Sequence, residues 1–245
     1  MYKFTFIIGY RHKKDRFINL KRTLDWVNSF SGVELILVEQ DKHTKIGHLN
    51  LNCKHIFVKS DQPYNRSWGF NVGLKNSNSD IIVFGDSDII MDPHKFIEAL
   101  KMIKDYDMVS PYTSVIDLDP KESTLPLPNI LKIKKKGRSG INPCGGIAIF
   151  RKEAAFNIGG WFEKFIDWGG EDDHMFMKTK HFLNWKELEG SCYHLYHQRV
   201  VPDQKLYKNT LSILQKTSKM TKEQLKRQID NTVNKIGMKN LYDNF

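Results

Sequence analysis

Two groups of acids and one pair of histidines hold the chemistry this sequence can offer. Asp86-Ser87-Asp88 follows the apolar run Ile81-Ile82-Val83-Phe84 and Gly85. Such a run reads as a short buried strand. In an extended chain alternate side chains point the same way, so both carboxylates face one side. Like charges placed there repel unless a cation or hydrogen-bond donors lie between them. A hard divalent ion shared with substrate phosphates would satisfy both; a polar turn is the plain alternative, because Asp and Ser are ordinary turn residues. Glu171-Asp172-Asp173 follows Trp168-Gly169-Gly170 and opens a helical run to Thr179. Acids at a helix start interact well with its positive end, which is a sufficient structural reason for them. Yet an aromatic face, open backbone and a carboxylate are what gripping a sugar requires, and a carboxylate held there could take a proton from a hydroxyl. Finally, Cys192, His194 and His197 could add imidazole ligands to the Asp86–Asp88 site or form a zinc site of their own, for which no fourth ligand is evident.

These residues must be positioned by the elements around them. Lys3–Ile8, Val33–Val38, Cys53–Val58, Ile81–Phe84, Met108–Tyr112, Gly145–Phe150 and the stretch from Gly190 to His197 read as strands. Helical patterns lie between them, with Phe17, Leu20, Leu24 and Val27 on one face, then Asn65–Leu74 and His94–Ile103. Strand and helix alternate, which predicts an α/β fold with a parallel sheet covered on both faces. Sites in such sheets sit at the carboxyl ends of strands. There Arg11, Gln40, Asp86 and Asp88 would meet along one rim, beside the cationic loop Arg11-His12-Lys13-Lys14-Asp15-Arg16. From Asp117 to Asn142 the periodicity is lost, and the run from Lys132 to Gly140 is basic. We expect a mobile loop near the site, with a solvated basic turn as the alternative. From Gln204 the chain is helical and basic. Thr221-Lys222-Glu223-Gln224 fits a capping box, and Leu225, Ile229, Val233 and Ile236 make one apolar stripe.

The totals narrow the classes. The 245 residues suit one large domain or a domain with an appendage, and 40% apolar content supports a packed core. No apolar run is long enough to cross a bilayer, and Met1-Tyr2-Lys3 leads straight into the first strand, so no leader is expected. Three widely spaced cysteines, Cys53, Cys144 and Cys192, argue for a reducing compartment. A net charge of +10 attracts phosphate-bearing substrates, anionic lipid or nucleic acid; no nucleic-acid module accompanies it.

Taken in order, these motifs resemble those of GT-A glycosyltransferases, the group of the lactosamine-forming galactosyltransferases, bacterial chondroitin polymerases and polypeptide N-acetylgalactosaminyltransferases. The likeness runs from about Phe6 to His197. Ile7-Ile8-Gly9-Tyr10-Arg11 is similar to the loop that holds the nucleotide, although Gly9-Tyr10 stands where a proline is common. Val38-Glu39-Gln40 matches the strand end near the base. Tyr64-Asn65-Arg66-Ser67-Trp68-Gly69-Phe70-Asn71-Val72-Gly73 resembles the Phe-Asn-Arg helix, and Phe84-Gly85-Asp86-Ser87-Asp88 the metal motif. Gly145-Gly146 matches the donor-sugar glycines, and Trp168-Gly169-Gly170-Glu171-Asp172-Asp173 the acceptor and base motif. Cys192-x-His194-x-x-His197 has the galactosyltransferases' metal spacing, with His194 in place of their methionine.

The resemblance implies a GT-A fold, mostly parallel, with a nucleotide-binding half at about 1–115, an acceptor-binding half at about 140–200 and a basic helical extension over 201–245. It implies an inverting transferase that moves Gal, GalNAc, GlcNAc or Glc from a UDP-sugar to a saccharide or glycolipid acceptor in polysaccharide or glycoconjugate synthesis. Asp172 would be the base. Tyr10, Arg11, Gln40, Arg66, Asn71, Asp86, Gly145 and Gly146 would bind the nucleotide-sugar, and Trp161, Trp168, Glu171 and Asp173 the acceptor. Asp86, Asp88, His194 and His197 would hold Mn2+, with Mg2+ as the second choice. The expected setting is cytoplasmic, with peripheral contact at the inner face of an anionic membrane and no nucleic acid. A sugar-phosphate nucleotidyltransferase and a non-catalytic carbohydrate-binding module are the alternatives.

Overall fold

The computed structural model describes residues 3–199 and 201–238. The start Met1-Tyr2, Val200 and the last residues of the expected extension, 239–245, lie outside the described residues. Among the described residues ten strands run in chain order: β1 (Phe4–Tyr10), β2 (Val33–Asp41), β3 (Lys54–Lys59), β4 (Ile81–Gly85), β5 (Ile89–Met91), β6 (Met108–Ser110), β7 (Ser114–Asp117), β8 (Ile147–Arg151), β9 (Trp185–Glu187) and β10 (Ser191–His194). Seven form the main sheet in the order β3-β2-β1-β4-β8-β6-β9. Its pairs are parallel except at β8, which runs against both β4 and β6. Direction is not encoded in an apolar run, so Gly145–Phe150 reads the same either way. The remaining strands form a small sheet, β5-β10-β7, with β10 antiparallel to β5 and parallel to β7. None of its members exceeds four residues, too few for a period to show.

The helices are α1 (Lys14–Asn28), α2 (Arg66–Lys75), α3 (Pro93–Met102), α4 (Leu127–Ile130), α5 (Lys152–Asn157), α6 (Glu171–Phe182), α7 (Gln204–Ser218) and α8 (Lys222–Thr232). Alternation along β1 shows how they cover the sheet. Phe4, Phe6 and Ile8 join a buried cluster with Leu20, Leu24 and Trp26 of α1 and Phe96, Ala99 and Leu100 of α3. Ile7 joins a second cluster on the other face, with Phe70 and Leu74 of α2, Ala155 of α5, Met175 of α6 and Ile229 of α8. Helix α2 lies close on that face because Gly73 allows it: a Cβ there would stand 2.2 Å from Ile7 Cγ2. This contact fixes the height of Arg66 at the start of α2.

The stretch from Asp117 to Asn142 differs from expectation. Rather than a structureless loop it carries α4 and a 3-10 turn, Glu122–Thr124, with Ile130 fully buried in the first cluster. Backbone bonds of 3.0 and 2.8 Å join Val115 and Arg138, and Tyr196 N–H donates to Ser123 Oγ at 2.7 Å. The basic extension also packs down. Thr221 and Gln224 form the capping box, and Leu225, Ile229 and Ile236 of the apolar stripe are buried against the domain. Among the described residues no helix is long and apolar enough to cross a membrane.

Candidate active site

The carboxyl ends of β1, β2 and β4 lie side by side, since Ile8 pairs with Gly85 and Tyr10 with Glu39. Asp86 follows β4 directly, its N–H donating to Gly146 O at 2.9 Å. Ser87 and Asp88 then form a turn between β4 and β5, not the extended chain expected, and the Asp88 carboxylate is only 6% exposed. Around it stand His197 Nε2 at 3.4 Å, His194 Nε2 at 3.8 Å and Arg16 Nη1 at 3.4 Å. Burial pushes the Asp88 carboxyl up and Asp86 adds to this, while His194, Arg16 and His197 pull it back.

Opposite, helix α6 starts at Gly170 in the left-handed region, φ 83°, after Asp167 at φ 71° and Gly169 at φ 96°. A side chain at Gly170 would meet Thr210 Cγ2 at 2.7 Å, so α7 packs against this turn. The turn delivers Glu171, Asp172 and Asp173 to the helix start. Arg66 spans the gap between the two rims. Its Nε lies 2.7 Å from Asp86 Oδ1, and its Nη1 lies 2.5 Å from Asp172 Oδ1 and 3.5 Å from Glu171 Oε1. The guanidinium rests over the rings of Phe70 at 4.5 Å and Trp161 at 5.1 Å. Burial opposes its charge, but Asp172, Asp86 and Glu171 outweigh that and hold its pKa well above the usual value. For Asp172 burial wins: its carboxyl is pushed up to about 8, with Arg66 pulling down and Glu171 and Asp86 pushing further up. Gly145 closes the floor, since a Cβ there would stand 3.2 Å from Asp172 Oδ2.

Residues 19–159, more than half of the chain, match the model of glycosyl transferase family 2. The chain belongs to that family. It is a glycosyltransferase with the GT-A fold. A second match covers residues 133–198, described as the N-terminal domain of galactosyltransferase, and takes in the glycine pair, the three acids and the two histidines. No curated protein matches in sequence. Among solved structures, the catalytic domain of Drosophila β1,4-galactosyltransferase 7 with xylobiose is 16% identical over 90% of this chain and 82% of that one, TM-score 0.56. TarS of S. aureus is 14% identical over 93% and 69%, TM-score 0.60. GalNAc-T7, solved with UDP, GalNAc and Mn2+, is 13% identical over 96% of this chain and 55% of that one, TM-score 0.62. At these identities the likeness shows the fold.

On this glycosyltransferase fold the expected site residues divide. Asp86, Asp88, His194, His197, Arg66, Gly145, Glu171 and Asp172 come together as described. Asp173 is exposed and accepts a bond from Asn142 Nδ2 at 2.9 Å. Trp168 is 63% exposed, its ring 5.9 Å from that of Tyr207. Five residues stand elsewhere than expected, one of them Gly146, where a Cβ would stand 2.2 Å from the buried Tyr112 Oη and so would face the core. Trp161 forms no acceptor wall: it is 1% exposed, wedged against Phe70 and Phe84 beneath Arg66. Asn71 is fully buried, bonding Trp161 through both N–H and carbonyl, which fixes that turn and leaves no atom for a donor sugar. The Gln40 side chain clamps the backbone of Asn65, and the Tyr10 ring is core, its hydroxyl 3.2 Å from His12 Nδ1. Arg11 Nε donates to Gln40 O at 2.8 Å. Sequence reasoning placed Arg16 only within the cationic loop and missed Asp117, whose Oδ1 lies 3.0 Å from His194 Nδ1; neither carries a local signal.

The donor set fits a divalent ion. One ligand atom each from Asp88, His194 and His197 lies within 4.8 Å of the others. Both imidazoles have an oxygen on Nδ1, Asp117 Oδ1 for His194 and Gln198 O for His197, each at 3.0 Å. Nδ1 is then the donor and Nε2 keeps its lone pair towards Asp88, the tautomer a ligand needs. With that tautomer Arg16 Nη2, 3.3 Å from His197 Nδ1, is a neighbour there and not a donor.

Proposed function

We propose that this glycosyltransferase is inverting and metal-dependent and draws its sugar from a UDP-sugar. The observation that carries the proposal is Arg66, which joins Asp86 at 2.7 Å to Asp172 at 2.5 Å and so brings the two acidic rims within the span of one guanidinium. Asp88, His194 and His197 would hold Mn2+, or Mg2+ as second choice, with Asp86 steadying the metal-nucleotide unit. Held by these residues, a divalent ion would supply positive charge to offset that of the leaving diphosphate. Asp172 accepts the proton of the acceptor hydroxyl, whose oxygen attacks the anomeric carbon from the face opposite UDP. Glu171 and Asp173 orient the acceptor, and the exposed Trp168 ring offers it an apolar face. Gly145, beside Asp172, leaves room for the donor sugar. Arg11 Nη2 and Glu171 Oε2 are among the buried polar atoms with no hydrogen bond inside the protein, and such atoms are costly unless something pairs with them.

Neighbours of the same fold support the ligand class. The Drosophila enzyme has been solved as a mutant with manganese, UDP-Gal and xylobiose, TarS with UDP-GlcNAc, and GalNAc-T7 with UDP, GalNAc and Mn2+. On this reading the nucleotide-binding half spans about 1–115, the acceptor-binding half about 140–200, and 201–245 is a basic helical extension, while the transferase as a whole serves polysaccharide or glycoconjugate synthesis. Contact with an anionic membrane would fall to the exposed lysines of α7 and α8, because the apolar stripe is buried. The test is UDP release from UDP-Gal, UDP-GalNAc, UDP-GlcNAc and UDP-Glc, with Mn2+ and with a chelator, with and without saccharide acceptors. We expect release from at least one donor, abolished by the chelator. No chelator-sensitive release from any of the four would overturn the proposal.

A further inference from the structure

We propose that Asp117 is a positioning residue of the metal centre, acting through His194; the proposal rests on the metal site described above. The small sheet makes the contact. In the parallel ladder of β7 and β10, Asp117 is the register partner of His194, and in the antiparallel ladder of β10 and β5, His194 is the partner of Ile89. The imidazole is thereby held between Asp117 on one side and the chain that carries Asp88 on the other. Its Nδ1 lies 3.0 Å from Asp117 Oδ1 and its Nε2 3.8 Å from Asp88 Oδ1. A carboxylate can only accept, so Nδ1 carries the hydrogen and Nε2 faces Asp88 with its lone pair. The bond also fixes the plane of the ring and strengthens the ligand's basicity.

Asp117 is itself held. Arg138 Nε and Nη2 donate to its two oxygens at 2.6 and 3.1 Å, and the backbone of Arg138 pairs with Val115. The basic stretch from Lys132 to Gly140 thus has one member, Arg138, tied to the metal centre through two side chains. His197 has no such support: its Nδ1 meets the carbonyl of Gln198, the next residue. The two imidazoles differ accordingly. His194 is set by Asp117 and, behind it, Arg138, both distant in sequence, and His197 by the backbone of its neighbour.

The experiment is a titration of Mn2+ into the full chain in the presence of saturating UDP, with free ion read by electron paramagnetic resonance and folding checked by thermal unfolding. Asp117→Ala should weaken Mn2+ binding on the order of 10–100-fold. Asp117→Asn, which keeps an acceptor oxygen, should weaken it less, and Arg138→Ala only by a few-fold. In a His194→Ala background Asp117→Ala should cost nothing more, because the two act as one unit. Undiminished Mn2+ binding in folded Asp117→Ala overturns the proposal. So does an equal loss in the His194→Ala background, which would mean that Asp117 works through the loop. Wild-type protein that binds no Mn2+, or an Asp88→Asn variant that binds it as well as wild type, overturns the metal reading beneath it. Binding lost in Asp88→Asn but kept in Asp117→Ala sinks this proposal alone.

Discussion

The two acidic rims of the site are built in opposite ways. Asp86 and Asp88 ride on the end of β4, in the middle of the main sheet, and the ladders on either side leave that strand end little freedom. Asp172 rides on a helix start reached through a turn with three positive φ angles, one of them on the non-glycine Asp167. Such a turn costs free energy and persists only where the surroundings impose it. Here they are α7 against Gly170, His174 stacked on Phe162 at 4.6 Å and bonded to Gln228 of α8, and Lys178 beneath. The metal rim is thus held by backbone ladders and the base rim by packing that includes the extension. Changes at the first should alter ion affinity with little effect on stability, and changes beneath the second should alter stability and the aim of Asp172 together.

The largest effect expected on that contrast is Asp172→Asn. An amide cannot take the acceptor's proton, so turnover should fall on the order of 10²–10⁴-fold. UDP affinity with Mn2+ should stay at the wild-type value, because the metal rim is untouched. Calorimetry of UDP binding beside a turnover assay checks both. Near-normal turnover would remove Asp172 from the role of base, and a parallel loss of UDP binding would show the rims to be coupled beyond the Arg66 bridge.

The pH dependence sharpens the same point. Burial pushes the Asp172 carboxyl up to about 8, so in the free enzyme the base form grows as pH rises through that value. The kcat/KM for transfer should climb with pH to a plateau above it, and the residual activity of Asp172→Asn should lack that limb. For stability the sign is reversed. Between the ordinary carboxyl value and about 8 the folded chain keeps a proton that the unfolded chain has released, so this group lowers stability as pH rises. A kcat/KM profile flat through that region would sink the assignment.

How far the sequence foretells these rims follows from the same difference. Asp86 and Asp88 stand out because an apolar run ends at Gly85 just before them, so their place at a strand end follows from a few neighbouring residues; the period of two does not reach them, since Ser87 and Asp88 turn. The three acids of α6 stand out because Trp168-Gly169-Gly170 precedes them. The alternation of strand and helix yields the main sheet, and the resemblance yields its family. What joins the rims is not local. Arg66 meets Asp172 across 106 positions and Asp117 meets His194 across 77, distances over which no pattern runs. Trp161 is given an acceptor role by the resemblance alone; the rings of Phe70 and Phe84, brought by α2 and β4, bury it instead. Lys178 gives no sign in Met175-Phe176-Met177-Lys178 that it lies inside.

A middle-sized effect belongs to Lys178. It is 2% exposed, and burial pulls its pKa down to about 7. Its Nζ donates to Ile158 O at 2.9 Å and to Gly160 O, closing the turn that leads to Trp161 under Arg66. Lys178→Met would leave two carbonyls short of a donor and should cost about 1–3 kcal/mol by urea unfolding. The same substitution should lower turnover more than Mn2+ affinity, since the turn supports the base rim. Stability within about 0.5 kcal/mol of wild type, the range of an ordinary surface change, would show that the packing beneath α6 bears less than the fold suggests.

The smallest effect should come from Asp173, one residue from the base. Adjacent residues of a helix do not share a face, and here the third acid is exposed where Asp172 is drawn to Arg66. Asp173 accepts from Asn142 Nδ2 at 2.9 Å, a bond that an amide oxygen can keep. Asp173→Asn then loses only a charge near the positive end of α6, about 0.3–1 kcal/mol. Turnover should stay within a few-fold of wild type, with any change falling on the KM for the acceptor. If Asp173→Asn instead stops turnover while Asp172→Asn does not, the base is the exposed acid, and the Arg66–Asp172 contact is a structural pair that closes the cavity without taking part in the chemistry.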